Sequence, residues 1–256
     1  MKKNTDLISF YNSVYKNGEK KHYTKLLFKK KSTLPIDESE VLKALSWKNK
    51  TVLDVGCGTG LMASEIAKAG AKKVIGIDFS PDAIKTAVAE HALPNLMYKV
   101  EDVKKHNGRY DIVISLGTLE HMDKPLETLR LIKKRLNPNG KILITSPNWS
   151  NPRGYILQTL RFLFDAPITL ADLHYLTPIE FEVWAKKLNM KLLWKTFDFE
   201  WAQGERLTKD FTRRLPNVLR DMGITGKEKE IANFIRWIKD HILTLRHDEP
   251  WSGAPG

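Results

Sequence analysis

Thr51-Val52-Leu53-Asp54-Val55-Gly56-Cys57-Gly58-Thr59-Gly60 is a run of β-branched and aliphatic residues that opens onto a glycine-rich turn, and Leu61 to Ala69 follows with apolar residues at helical spacing. Buried strand, glycine turn and helix start, in that order, make the loop of a nucleotide-cofactor site. Gly56 and Gly58 can take backbone angles closed to other residues and let a ligand reach the main chain, while the helix start offers unpaired N–H groups. A G-x-G-x-x-G fingerprint beginning at Gly56 would need glycine where Leu61 stands. The pattern present is G-x-G-x-G with Asp54 two residues upstream, which argues against a pyrophosphate. An acid at the strand end repels phosphate, but it accepts hydrogen bonds from an ammonium or from water held by one.

Two further strand ends extend this reading. The apolar run Val74-Ile75-Gly76-Ile77 ends in Asp78, a two-oxygen acceptor suited to a pair of ribose hydroxyls. Leu96 to Val100 reads as a third strand, and Glu101-Asp102-Val103 places a carboxylate where an adenine amino group can be held. Acids on successive strand ends favour an adenosine without phosphates. Beyond them, Ser80-Pro81-Asp82 supplies an N-cap, a proline in the first turn and an acid at the positive helix end, starting a helix to about His91. Tyr110 to Ser115 is an apolar run of central-strand length, Lys124 to Leu136 has helical spacing, and Asn137-Pro138-Asn139-Gly140 turns the chain into a fifth strand, Lys141 to Ser146. Such alternation predicts an α/β fold with a doubly wound, mostly parallel sheet and a site at its carboxyl edge.

From about Lys50 to Pro147 the chain resembles the class I S-adenosylmethionine-dependent methyltransferases. Leu119-Glu120-His121-Met122 followed by Pro125, and Pro138-Asn139-Gly140-Lys141 before a strand, resemble the ubiquinone-biosynthesis type of O- and C-methyltransferases. The resemblance implies a Rossmann-like, seven-stranded-type sheet and S-adenosylmethionine as cofactor, with S-adenosylhomocysteine as product. It implies cofactor contacts from Asp54, Gly56, Cys57, Gly58, Gly60, Asp78, Phe79, Asp102, Val103, Leu116 and His121, and from Tyr11 and Tyr15 in N-terminal helices that close over the cofactor. Cys57 also reads as a small buried residue beside a glycine. Some members of the type hold a divalent metal with a Glu-x-x-Glu-His cluster. Here Gly117 occupies the first acidic position, so no required metal is expected. His121 and His174 are the candidate bases, His174 with Asp172 two residues before it as a possible orienting carboxylate.

The remaining segments frame three functional readings. Residues 1–50 hold 12 lysines against five acidic residues, more than half of the +12 excess. Lys20-Lys21 and Lys29-Lys30-Lys31 bracket Tyr23, Leu26, Leu27 and Phe28, a basic amphipathic pattern that reads as a solvated helix face or as a contact for anionic lipid or nucleic acid. Residues 1–49 form an N-terminal basic arm or cap, 50–200 the cofactor domain with a helical insertion over 148–173, and 201–256 a C-terminal helical extension. Thr177-Pro178-Ile179-Glu180 is a capping box starting a helix through Leu188, and Met190 to Phe199 reads as a sixth strand. Helical patterns follow at Phe211 to Met222 and Lys227 to about Leu245, broken at Pro216 and Gly223. Ile242 to Leu245 either supplies a last strand or continues the helix, and the tail from Pro250 is expected to be mobile. One cysteine excludes an intrachain disulfide, and no apolar run has spanning or signal-peptide length, so a cytoplasmic location is expected. Methyl transfer to a small molecule, most simply at a hydroxyl oxygen, is the leading function. The alternatives are an RNA or anionic lipid-like acceptor recruited by the basic arm, and a catalytically silent cofactor-binding subunit. Peripheral membrane contact stays open, and the sequence does not set the oligomeric state.

Overall fold

A computed structural model describes residues 36–166, 168–169, 172–197 and 205–241. Tyr11, Tyr15, the basic cluster over 16–31, Ile242 to Leu245 and the tail from Pro250 lie outside the described residues. The chain falls into two compact units, Met1–Pro147 with Ala171–Leu193, and Asn148–Leu170 with Trp194–Gly256.

The first unit is built on an all-parallel sheet. Helix α1 (Ile36–Ala44) leads into β1 (Thr51–Val55), α2 (Leu61–Lys68), β2 (Lys73–Asp78), α3 (Pro81–Glu90), β3 (Leu96–Val100) and β4 (Tyr110–Leu116). A 3-10 turn (Leu119–His121), α4 (Pro125–Lys134) and β5 (Leu136–Thr145) complete the sheet, whose order is β3-β2-β1-β4-β5. The winding direction changes at β1, with β2 on one side and β4 on the other. A crevice therefore opens beyond the carboxyl ends of β1 and β4, the place where such sheets bind ligands.

Alternating residues of each strand feed two cores. Leu53, Val55, Ile75, Ile77 and Val113 pack on one face with Leu129 and Ile132 of α4 and with Leu188. Val52, Val74, Ile112 and Ile114 pack on the other with Val41 of α1 and Met62, Ala63 and Ile66 of α2. Asp54 shares the second face with Val52 and is only 2% exposed, a carboxyl where the pattern calls for an apolar group.

Local signals act where the sequence puts them. The Ser80 hydroxyl accepts the N–H of Ala83 at the start of α3, and Thr177 and Glu180 form a reciprocal capping box at the start of α6 (Pro178–Lys187, which follows α5, Pro152–Phe164, in the chain). The Asn137–Gly140 turn is absorbed into β5 as an irregularity. Tyr110 pairs with Leu136 and Ile112 with Lys141, so the four residues between bulge out of register.

Strand six is corrected by the structure: residues 190–197 are irregular, and Leu193 and Trp194 are 83% and 56% exposed. Met190 to Phe197 has strand composition but finds no ladder among the described residues, and β propensity without a partner strand does not make a sheet. The described sheet accordingly has five strands, with the order and parallel sense of the Rossmann-like class I fold.

In the second unit, Asn151 caps α5 (Pro152–Phe164) by accepting the N–H of Gly154. It is followed by α7 (Glu205–Asp221) and α8 (Glu228–His241). Pro216 does not break α7, a second correction: the buried stripe Leu207, Phe211, Leu215, Val218 runs through it, and this burial outweighs one lost hydrogen bond. Phe211 meets Phe234 of α8 at 6.2 Å between ring centroids. Asp210, 1% exposed, is held by Arg153 at 2.8 Å and by two nitrogens of Arg214 at 3.0 Å each. Burial pushes its pKa up, but the two guanidiniums outweigh burial and leave the carboxyl below its ordinary value. No helix among the described residues is long and apolar enough to cross a membrane.

Candidate active site

The glycine turn after β1 is fixed from below by β2. The N–H groups of Gly56 and Cys57 both donate to the Ile77 carbonyl, at 2.9 and 3.1 Å. Gly60, at φ +84, is the N-cap of α2, and no side chain caps that helix end. A Cβ on Gly60 would lie 2.5 Å from the Tyr98 hydroxyl, and one on Gly56, at φ +77, would lie 2.6 Å from the Thr118 methyl group. Conformation and space both demand glycine at these two positions. Cys57 packs against Gly76 of β2, and its thiol is pushed up first by burial and then by the charges of Asp54 and Asp78, so it stays protonated.

A cavity of about 640 Å³ opens above this loop, within the size range of small-ligand sites. Asp54, Gly56, Cys57, Gly58, Asp78, Phe79, Asp102, Val103, Leu116 and His121 all line it. Gly60 lies behind the wall, its carbonyl accepting from the Tyr98 hydroxyl at 2.9 Å. Asp78 is oriented by the main chain: one oxygen accepts from Gly58 N–H at 3.0 Å, the other from Ser80 N–H at 2.8 Å. Phe79 N–H also donates to this carboxylate, which keeps acceptor capacity for a ligand. Burial raises the Asp78 pKa, and these hydrogen bonds work against the rise. Asp54 receives no hydrogen bond from a described residue. Burial, with the Asp78 charge second, brings its pKa to about 7.

The chain around the 3-10 turn after β4 also contributes to the wall, through Thr118, His121 and Met122. His121 Nδ1 lies 3.3 Å from a carboxylate oxygen of Asp172. That contact is set by the backbone, because the Glu120 carbonyl accepts the N–H groups of Leu173 at 2.8 Å and His174 at 3.1 Å, drawing the 172–174 loop onto the turn. His174 braces the same junction: its Nε2 donates to the Met122 carbonyl at 2.9 Å, and it is not among the cavity-lining residues. Asp172 thus faces His121 rather than His174. The Glu120 carboxyl is 2% exposed, and burial, opposed by a backbone hydrogen bond and aided by the Asp172 charge, brings its pKa to about 7.

Several lining residues had weaker signals in the sequence. Glu38 and Val41 come from α1, Thr118 and Met122 flank the 3-10 turn, Thr128 and Leu131 come from α4, and Thr145 ends β5. Helical spacing alone does not say which face of α1 or α4 a cavity will use. Among the described residues no group of three His, Cys, Asp or Glu could hold a metal ion.

The set of acceptors fits the sulfonium cofactor implied by the resemblance. A pyrophosphate would set its charge against Asp54 and Asp78, whereas an α-ammonium and ribose hydroxyls meet acceptors there.

Comparison with known proteins agrees. The family model described as "Methyltransferase domain" matches residues 27–199. The chain is 29% identical over 168 residues to the ubiquinone biosynthesis O-methyltransferase of Coxiella burnetii (strain RSA 331 / Henzerling II), covering 62% of this chain and 71% of that one. It is 28% identical over 169 residues to the protein of the same name from Xanthomonas oryzae pv. oryzae (strain PXO99A), covering 62% and 70%. The fold is shared with magnesium protoporphyrin IX methyltransferase from Synechocystis PCC 6803, solved with bound S-adenosylhomocysteine, at TM-score 0.55 and 17% identity over 72% of this chain and 88% of that one. Because the family model spans more than half of a chain whose sheet order and glycine loop agree with it, the chain belongs to the methyltransferase-domain family and is a class I S-adenosylmethionine-dependent methyltransferase.

Proposed function

We propose that the acceptor is a small molecule methylated at a hydroxyl oxygen. The observation that carries this reading is the 3.3 Å contact between Asp172 and His121, the latter lining the same cavity as Asp54 and Asp78. S-adenosylmethionine supplies an electrophilic methyl group, so the chain's own work is to hold the cofactor, align the acceptor, exclude water and take a proton.

In this reading Asp54 accepts from the cofactor's ammonium, Asp78 from the ribose hydroxyls, and the main chain of Gly56 to Gly58 closes on the remainder. Phe79, Asp102 and Val103 flank the base, and Leu116 lies under the ribose. Asp172 accepts Nδ1–H of His121, which fixes the tautomer and makes Nε2 the basic ring nitrogen that takes the acceptor's hydroxyl proton. The O-methyltransferase names of the two relatives support oxygen as the acceptor atom. Gly117 offers no side chain where a metal-binding carboxylate would stand, so turnover is expected to survive chelation. Loss of activity in EDTA with recovery in magnesium would count against this part of the reading.

Titration calorimetry tests the cofactor site first. S-adenosylmethionine is expected to bind wild type and to bind Asp78→Ala at least roughly tenfold more weakly, since two charge-assisted hydrogen bonds are lost. Unchanged affinity in that variant would overturn the role of Asp78. A screen of phenolic and aliphatic hydroxyl acceptors with labelled methyl groups tests the rest. His121→Ala is expected to lower kcat about a hundredfold or more, and incorporation only into amine acceptors would reject oxygen transfer.

A further inference from the structure

His121 is held by a segment that arrives about fifty residues later in the chain, from Asp172 to Leu176. Leu176, 3% exposed, anchors the far end of that segment in the core cluster that also holds Leu119 of the 3-10 turn, and Thr177 beyond it caps α6. Hydrogen bonds tie the near end to the turn itself. The Glu120 carbonyl accepts Leu173 N–H at 2.8 Å and His174 N–H at 3.1 Å, and the Met122 carbonyl accepts from His174 Nε2 at 2.9 Å. Glu120 and Met122 are the residues on either side of His121. His174 therefore grips the main chain before and after the base, once through its backbone and once through its ring.

The grip also fixes protons. A carbonyl oxygen can only accept, so His174 carries a proton on Nε2. An ionised Asp172 likewise only accepts, so the neutral His121 ring carries its proton on Nδ1, 3.3 Å away. The two histidines thus hold opposite tautomers across one junction. His174 does not line the cavity, so its part in the reaction is played through His121. Asp172 stands one residue before the first gripped N–H, and its carboxyl moves with that segment.

We propose that His174 is the positioning residue of the base: its bond to the Met122 carbonyl locks residues 172–174 onto the turn and keeps the Asp172 carboxylate against His121 Nδ1. Without that bond the segment is left with two N–H groups converging on the single Glu120 oxygen, a pivot rather than a clamp, and Asp172 swings with it. The inference rests on the reading of His121 as the base.

NMR of the full chain with isotope-labelled histidines tests it and needs no acceptor. In wild type, neutral His121 is expected as the Nδ1–H tautomer and neutral His174 as the Nε2–H tautomer. His174→Leu is expected to shift neutral His121 toward Nε2–H and to lower its titration midpoint by about one pH unit, the effect of moving a nearby carboxylate away. Asp172→Asn should do the same, and the double variant should do no more than either single change, because both remove one contact. His174→Gln, whose amide can still donate to the Met122 carbonyl, is expected to keep the wild-type tautomer and midpoint. A merely structural His174 would instead lower the melting temperature and leave His121 unchanged in His174→Leu, which overturns the proposal. If His174→Leu does not fold, His174→Phe, a ring without the donor, takes its place, and a wild-type His174 found neutral as Nδ1–H overturns the proposal without any variant. An unchanged His121 in Asp172→Asn would instead overturn the reading of the pair on which the proposal rests.

Discussion

Asp54 is the acid that the structure treats most unusually. At 2% exposure beside Asp78, with its pKa brought to about 7, it is only partly ionised at neutral pH. A cationic ammonium bound there favours the ionised form, so cofactor binding and proton release are linked. Calorimetry near pH 7 in buffers of different ionisation enthalpy is expected to show a fraction of a proton released on binding S-adenosylmethionine. Affinity should fall as pH drops below 7, and Asp54→Asn should lose most of that proton release. A pH-independent affinity between 6 and 8 would contradict the assignment. Asp54 and Asp78 were legible in the sequence because the first interrupts an apolar run and the second ends one, where an acid has no packing reason to stand. The His121–Asp172 contact was not, since it joins segments about fifty residues apart through hydrogen bonds from the 172–174 backbone to Glu120. Asp172 two residues before His174 suggested the wrong pairing for the same reason: adjacency in sequence does not set side-chain direction.

Elements are positioned here by a few residues that admit no substitute. Gly60 combines φ +84 with a Cβ site 2.5 Å from the Tyr98 hydroxyl, whereas Gly226 at φ +71 has nothing within 4 Å. Gly226→Ala therefore carries only the left-handed penalty, about 1–2 kcal/mol, and should leave cofactor affinity unchanged. Gly60→Ala adds a steric conflict at the start of α2 and is expected to cost more stability and to abolish detectable cofactor binding. Denaturant melts and calorimetry on the two variants separate strain from site damage, and equal losses in both would refute the distinction. Capping signals were legible at this scale because Ser80-Pro81-Asp82 and Thr177 to Glu180 act within one turn of chain. Met190 to Phe199 misled because strand character depends on a neighbour that the local sequence does not specify. Pro216 misled in the opposite sense, since the apolar stripe from Leu207 to Val218 outweighs a local helix breaker.

The protein as a whole carries a pH signature set by its buried acids. Asp54 moves from 3.8 to about 7 and Glu120 from 4.5 to about 7, both chiefly by burial. A pKa raised in the folded state gives a stability contribution that is complete below the unfolded value and lost as pH rises through the folded one. These two groups therefore favour the folded chain in mild acid and lose that effect between about pH 4 and 7. Asp111 acts in reverse: the Thr51 N–H, with Asn137 and the Thr51 hydroxyl, lowers it to about 2, so its contribution is present above about 4 and disappears as pH falls through 2. Cofactor-free protein is accordingly expected to melt at a higher temperature at pH 5.5 than at pH 8. Asp54→Asn and Glu120→Gln together should flatten that slope, since neither amide titrates. Saturating S-adenosylmethionine should oppose the slope, because it stabilises the ionised form of Asp54 and therefore adds more stability at pH 8 than at pH 5.5. Thermal melts at the two pH values, with and without cofactor, read these effects together. A melting temperature of the cofactor-free wild type that rises toward pH 8 would show that Asp54 and Glu120 do not dominate the titration of the folded state.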